Sequence, residues 1–343
     1  MKALVLEKYN QFEFKEVEMP EMEPDEVLVK VKAVGICGSD VHGMDGSTGR
    51  RQPPLIMGHE ASGEITAVGS AVRSWEPGDR VTFDSTIYRL DDWYTRQGSY
   101  NLSDNRVVLG VSCDDYRRHG AFAEYVAVPQ HILYRLPENV SFTQAAMVEP
   151  VAVALHALSL GKPNVNDSAV VVGAGMIGLF VIQLLKVAGC RQIIAIDLDE
   201  DKLALSAKLG ATHCFNSQQP DLNRQILELT NARGADQAYE AVGITETVKL
   251  AIDNVRKGGT VTLLGNLSPQ IEFPLQSVVT RQIKIQGSCA ICGEYPAVLD
   301  LIAAGKVDVE ALVSAEAPLS EGADWFTRLY KKEKGLVKVI LKP

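Results

Sequence analysis

The chain has 343 residues, more than the roughly 250–300 at which a single hydrophobic core stops growing, so two domains are expected. Hydrophobic residues make up 46% and charged residues 22%, a composition that excludes a disordered or fibrous chain. With 43 acidic against 34 basic side chains the net charge is −9, which argues against nucleic acid or an anionic membrane as the main partner.

Residues 1–19 lack the basic-then-apolar order of a signal peptide, and the six cysteines are too scattered for the disulfide framework of a small secreted domain. A cytoplasmic protein is therefore expected. From 2 to 136 short strands, such as 27–34, 61–68, 80–83 and 121–128, are separated by turn residues, and this part reads as mainly β. Within it, Gly35-Ile36-Cys37-Gly38-Ser39-Asp40-Val41-His42 brings thiol, hydroxyl, carboxylate and imidazole into one short run, and Gly58-His59-Glu60 follows. Cysteine, histidine and carboxylate are the groups zinc takes, and a catalytic zinc keeps one position open beside three protein ligands. Neighbours on a strand point to opposite faces, so His59 and Glu60 can converge only if the chain bends at Gly58. Cys37 and His59 are expected as ligands, with Glu60 and Glu149 either coordinating or holding the metal's water. Spacing alone leaves open that these residues are unrelated.

Near Glu149-Pro150 the texture changes to apolar runs alternating with amphipathic helical segments, the pattern of a parallel α/β sheet. Six strands are expected, at 169–172, 192–197, 213–216, 237–241, 260–264 and 283–287, the count of a full dinucleotide-binding sheet. The uncharged stretch 169–185 approaches the length of a membrane span. Gly173, Gly175, Gly178 and Gln183 interrupt it, and Val170-Val171-Val172 reads instead as a buried strand turning into a buried helix. Gly173-Ala174-Gly175-Met176-Ile177-Gly178 is then G-x-G-x-x-G between strand and helix: a tight turn, close approach of backbone to pyrophosphate, and close helix–strand packing. Asp197 ends the next strand, where a carboxylate grips the ribose hydroxyls and repels a 2′-phosphate, which favours NAD over NADP. Lys202 either covers the adenine ribose or is solvated. The loop without ligand, and Asp197 as a helix cap, are the plainer alternatives. Helices at 294–304 and 324–332 and a strand at 336–341 are expected to return to the first domain.

Taken with Glu76-Pro77-Gly78-Asp79-Arg80-Val81 and 120–125, these motifs resemble the zinc-dependent medium-chain alcohol dehydrogenase family, in particular its sorbitol and polyol dehydrogenase branch, over nearly the whole chain. The resemblance implies an α/β protein: a GroES-like, mainly β catalytic domain over 1–150 completed by 288–343, and a Rossmann domain with a doubly wound parallel six-stranded sheet over 151–287. It implies zinc held by Cys37, His59 and Glu60 with Glu149 beside or on the metal. Ser39 and His42 stand where the family relays the alcohol proton, although His42 could instead be structural. Gly173, Gly175, Ile177, Gly178, Asp197, Lys202, Val242, Leu264, Gly265 and Cys289 fall beside the family's NAD. The implied reaction passes hydride from a secondary alcohol on a polyol, sugar alcohol or sugar phosphate to NAD. The alternative is an amino-alcohol or diol dehydrogenase of the threonine or butanediol type; a non-catalytic NAD-binding protein would not need the zinc residues. A homo-oligomer, tetramer or dimer, is also implied, with 282–287 able to pair edge to edge.

Three departures stand out. The lobe that carries four cysteines for a structural zinc in many members has Arg89, Asp92, Thr95 and Ser103 instead, so one zinc per chain is expected. Sorbitol dehydrogenases place an Arg-Tyr pair where this chain has Ala290-Ile291, and an aromatic where it has Gly43. Cys289 and Cys292 form a C-x-x-C near the expected nicotinamide and are expected as two buried thiols rather than a redox switch. Arg50-Arg51 and Arg117-Arg118 could meet a substrate phosphate, but loop pairs of this kind are expected to be solvated.

Overall fold

Alternating apolar residues give the run Glu26–Gly35 (β1) a buried face carrying Val27, Val29 and Val31, while Lys30 turns to solvent. The computed structural model describes residues 1–113 and 116–343, and β1 is central to a seven-stranded sheet in the first of its two compact units. That unit comprises Met1–Glu149, Tyr295–Ala304 and Val309–Pro343. β1 pairs antiparallel with Glu60–Val68 (β2), with Tyr125–Pro129 and with the C-terminal strand Lys338–Lys342. Its core gathers Val27, Val29, Ile65, Phe83, Phe122, Phe326 and Leu341, each worth about 1.5–3 kcal/mol when fully buried. Between β1 and β2 lies one short helix, Gly38–Gly43 (α1).

The strand expected at 121–128 forms only as Tyr125–Pro129. The residues before it spend their backbone bonds elsewhere: Gly120 N donates to Ile56 O (2.8 Å), Ala121 N to Gly58 O (2.8 Å) and Phe122 N to Met57 O (2.9 Å). They clamp the turn that leads into His59 and Glu60.

The second unit comprises Pro150–Glu294 and Gly305–Asp308. Six parallel strands, Ser168–Val172 (β3), Gln192–Asp197 (β4), His213–Asn216 (β5), Ala235–Glu240 (β6), Val255–Leu263 (β7) and Lys284–Gly287 (β8), lie in the order β5-β4-β3-β6-β7-β8. The order reverses at β3, and the crevice beyond the carboxyl ends of strands at such a reversal is where open α/β sheets take their ligands. The uncharged stretch 169–185 is β3 followed by the helix Met176–Val187 (α2), and among the described residues no helix is long and apolar enough to cross a membrane.

This unit runs past the expected boundary at 287 because polar pairs tie the later residues to it. Glu294 Oε1 lies 2.7 Å from His156 Nδ1, and Asp308 N donates to Gln183 Oε1 at 2.7 Å. Among the described residues of this unit, several buried polar atoms lack a partner, the Tyr239 hydroxyl among them. Tyr239 is fully buried on β6 and its hydroxyl has no hydrogen-bond partner, so it carries a desolvation cost without a bond to offset it. Tyr239→Phe is expected to raise stability by about 1 kcal/mol, seen as a higher midpoint in thermal denaturation.

Candidate metal centre and dinucleotide loop

β1 delivers Cys37 to the start of α1, where its sulfur acts as the helix cap, accepting from Ser39 N at 3.5 Å and Ser39 Oγ at 3.3 Å. On the facing strand, the bend required of Gly58 is present: its φ is +97°, and a Cβ there would stand 2.9 Å from Phe122 N, so only glycine fits. His59 and Glu60 follow at once and turn the same way. Donor atoms of Cys37, His59 and Glu60 lie within 4.8 Å of one another, the one group of this kind among the described residues. Glu149, named as a ligand or its neighbour, falls outside that group and stands at the start of the helix Val148–Gly161.

Charge around this cluster is unbalanced. Asp40 is fully buried; burial alone would raise its pKa, but His59 and Arg51 beside it bring the carboxyl down to about 2. At His59 burial opposes the charged ring, yet Asp40 and the Cys37 sulfur outweigh it and hold the imidazole well above its ordinary value. Burial and the nearby Glu60 carboxylate push Glu149 up to about 8. Glu60 Oε2 is paired with buried Lys338, but Glu60 Oε1 is buried without a hydrogen-bond partner. Sulfur, imidazole and an under-satisfied carboxylate in one place, amid surplus negative charge, fit a divalent cation of the zinc type. With His59 Nδ1 facing Asp40 Oδ1 at 3.5 Å, Nε2 is the nitrogen left for a metal.

Ser39 lies against the Cys37 sulfur, while His42 is exposed on the last turn of α1. Arg51 corrects an expectation. It is 4% exposed rather than solvated, because its Nε and Nη2 both donate to Asp40 Oδ1, at 3.1 and 2.8 Å. Arg118 is likewise ion-paired, with the buried carboxylate of Glu26. Asp40 and Lys338 are residues of this site to which the sequence assigns no role, and Arg51 is one for which it offers only a substrate phosphate or solvent. Asp40 had a visible signal, a carboxylate three residues after the candidate ligand Cys37, whereas Lys338 on the C-terminal strand had none.

The glycine loop is built as its spacing requires. Gly173 has φ +94°, and a Cβ on Gly178 would lie 1.9 Å from Gly173 O, whereas nothing lies within 4 Å of a Cβ on Gly175. The outer glycines are thus demanded by the fold, and the middle one leaves open space for a ligand's approach. Gly178→Ala is expected to abolish dinucleotide binding and to lower the melting temperature, since backbone must move to admit the methyl; calorimetric titration and a thermal scan would check both. Ile177 is half-buried in the first turn of α2. Asp197 reaches back to the loop, accepting from Ala174 N at 2.7 Å, and its other oxygen accepts from Asp199 N at 3.0 Å.

Val242 packs on Gly173, and a Cβ on Gly265 would meet the Val242 backbone at 2.2 Å, so the loops after β6 and β7 close beside the glycine loop. The buried carboxylate of Glu240, unnoticed in the sequence, organises them: it accepts from Val242 N and Gly243 N, both at 2.8 Å, while its carbonyl accepts from Leu264 N and Gly265 N. Lys202 is half-buried on the helix Glu200–Leu209. Cys289 and Cys292 are half-buried, not fully buried as expected, because they lie on the loop that follows β8.

In the lobe, Asp92 caps a turn by accepting from Tyr94 N and Thr95 N, and Arg89 pairs with Asp91, so hydrogen bonds hold the backbone there.

The chain is similar to known proteins along its whole length. Residues 23–138 match the alcohol dehydrogenase GroES-like domain, and residues 177–304 match the zinc-binding dehydrogenase model. Sorbitol dehydrogenase of Bacillus subtilis is 33% identical over 100% of this chain and 97% of its own length. D-arabitol-phosphate dehydrogenase of Enterococcus avium is 30% identical over 97% of this chain and 94% of its own. A solved structure from Sinorhizobium meliloti, bound to NADP, is similar with a TM-score of 0.92 and 31% identity, covering 100% of this chain and 99% of that one.

Proposed function

The chain belongs to the zinc-dependent medium-chain alcohol and polyol dehydrogenase family, and from that premise we propose that it oxidises a secondary alcohol of a polyol, sugar alcohol or sugar phosphate to a ketone with NAD as hydride acceptor. It is an oxidoreductase of the zinc type with an alcohol or polyol substrate. The observation that carries the reading is the convergence of Cys37, His59 and Glu60 on one small volume.

Those three residues would hold one zinc, with Glu149 beside it, and the metal would supply Lewis acidity toward the substrate hydroxyl. The Ser39 hydroxyl, next to the Cys37 sulfur, would take the substrate proton while releasing its own, and His42, exposed on the same helix, would carry that released proton to solvent. The nicotinamide dinucleotide would supply the hydride-accepting ring, its pyrophosphate over Gly173, Gly175 and Gly178. Asp197 would face the ribose, and the carboxylates of Asp199, Glu200 and Asp201 just beyond it support NAD, since a 2′-phosphate would enter a negative field. No second zinc is proposed, because Arg89, Asp92, Thr95 and Ser103 offer no thiolates. A homo-oligomer belongs to the proposal too: β8 pairs on one edge only within its sheet.

A diol or amino-alcohol substrate is the second reading. It is favoured by Ile291, 1% exposed, and Gly43, buried under the Arg51 stem, at positions where sorbitol dehydrogenases carry larger polar or aromatic groups. The test is reduced-cofactor formation by zinc-loaded protein on polyols, sugar phosphates, diols and threonine, with NAD and with NADP, before and after chelation. Chelator-sensitive turnover with NAD on polyols or sugar phosphates supports the first reading. Turnover confined to diols or threonine supports the second, and a preference for NADP would overturn the role given to Asp197.

A further inference from the structure

We propose that Arg51 is a positioning residue for the dehydrogenase reaction, fixing the Ser39 hydroxyl beside the Cys37 sulfur. The inference rests on the function proposed above, in which Ser39 takes the substrate proton. A guanidinium has five N–H donors and no acceptor. Two of Arg51's go to Asp40 Oδ1, Nη2 also reaches Ser39 Oγ at 3.2 Å, and Nη1 donates to its neighbour's carbonyl, Arg50 O, at 3.0 Å. Because Arg51 can only donate, Ser39 Oγ must accept from it; at rest the serine's own hydrogen lies toward Cys37 Sγ at 3.3 Å, and as the remaining lone pair takes the substrate proton that hydrogen is the one released toward solvent. A hydroxyl rotor that would otherwise have three wells thus rests in one until the substrate proton arrives.

The arm itself is anchored at both ends. Its backbone bridges to Ser112, and Ser112 N donates to Arg50 O at 3.3 Å. Its stem lies so close to α1 that a Cβ on residue 43 would stand 2.5 Å from Arg51 Cγ, which explains why that position is glycine. At its tip, Asp40 is fully buried and shared with His59. Such anchoring is what keeps a reacting group in register, where misplacement by about 1 Å can cost on the order of 10²-fold in rate. Lysine at this position could neutralise Asp40 as a point charge but could not fork to Ser39 as well.

The test compares Arg51→Lys, Ser39→Ala and the double variant with wild type, as zinc enzymes in steady-state kinetics and as cobalt-substituted proteins in absorption spectroscopy. The cobalt–thiolate band reports hydrogen bonding to Cys37 without need of turnover. Expected are a drop in kcat of about 10- to 100-fold with little change in KM for Arg51→Lys, a double variant no slower than Ser39→Ala, and the same band shift in all three. Wild-type kcat in Arg51→Lys, or losses that multiply in the double variant, would overturn the proposal. If wild type turned over no alcohol, the function proposed above would fail while the band still judged this link, and an unshifted band in Arg51→Lys would sink it.

Discussion

Cys37→Ser is expected to reduce turnover by at least about 10³-fold while leaving the fold intact, the largest catalytic effect of any single change in this protein. The reasoning separates two tasks that one sulfur performs. As helix cap, Cys37 accepts from Ser39 N, and serine is among the best residues for that position, so α1 should start as before. The residue is half-buried and is not a member of the first unit's hydrophobic core, so packing loses little. As a metal ligand, however, the thiolate has no equivalent in a hydroxyl that stays protonated at neutral pH. The result should be a near-native melting temperature with a loss of bound zinc and of activity together, read by metal analysis, thermal denaturation and steady-state rates on the same sample. A variant that kept its zinc and its rate would remove Cys37 from the ligand set.

How much of this site is legible without the structure depends on which force places each residue. The glycine loop declares itself because local backbone geometry demands it: Gly173 needs positive φ, and Gly178 has no room for a methyl. The inner strands of the second unit are equally plain, since a parallel sheet buried on both faces reads as apolar runs; Gln192–Asp197 forms with the bounds expected, as does the half-buried edge strand His213–Asn216. Cys37, His59 and Glu60 are visible as chemistry, and the bend at Gly58 could be required in advance because neighbours on a strand diverge.

Arg51 is not legible in the sequence because an arginine in a polar loop is ordinarily solvated, and its partner Asp40 comes earlier in the chain, with only the fold to bring them together. The same holds for 121–124, whose apolar run promised a strand until the turn at Met57-Gly58 claimed its hydrogen bonds. Glu240 was hidden for a different reason: a carboxylate at a strand end looks solvated, and only the two loops that fold over it make it buried.

The second large effect is expected from Lys338→Met, which should destabilise the metal-free protein by about 3–5 kcal/mol. Lys338 is 1% exposed, and its ammonium donates to Glu60 Oε2 and to Ile36 O, the latter at 2.9 Å. Methionine fills much the same space but brings neither charge nor donor, so the Glu60 carboxylate, whose Oε1 already lacks a partner, would be left buried with no counter-charge and with Glu149 nearby. The position of the backbone gives no escape, since at Gly35 even a methyl group would stand 2.5 Å from Glu60 Oε2. Zinc should change the outcome, because a cation held by Glu60 replaces the missing ammonium. The difference in melting temperature between variant and wild type is therefore expected to shrink when zinc is added. By linkage, the variant must then bind zinc more tightly than wild type by the same free energy. Thermal scans with chelator and with zinc, alongside competition against a coloured chelator, measure both sides of that cycle. An equal loss of stability in the two scans would mean that Glu60 takes no part in holding the metal, and that Lys338 serves the fold alone.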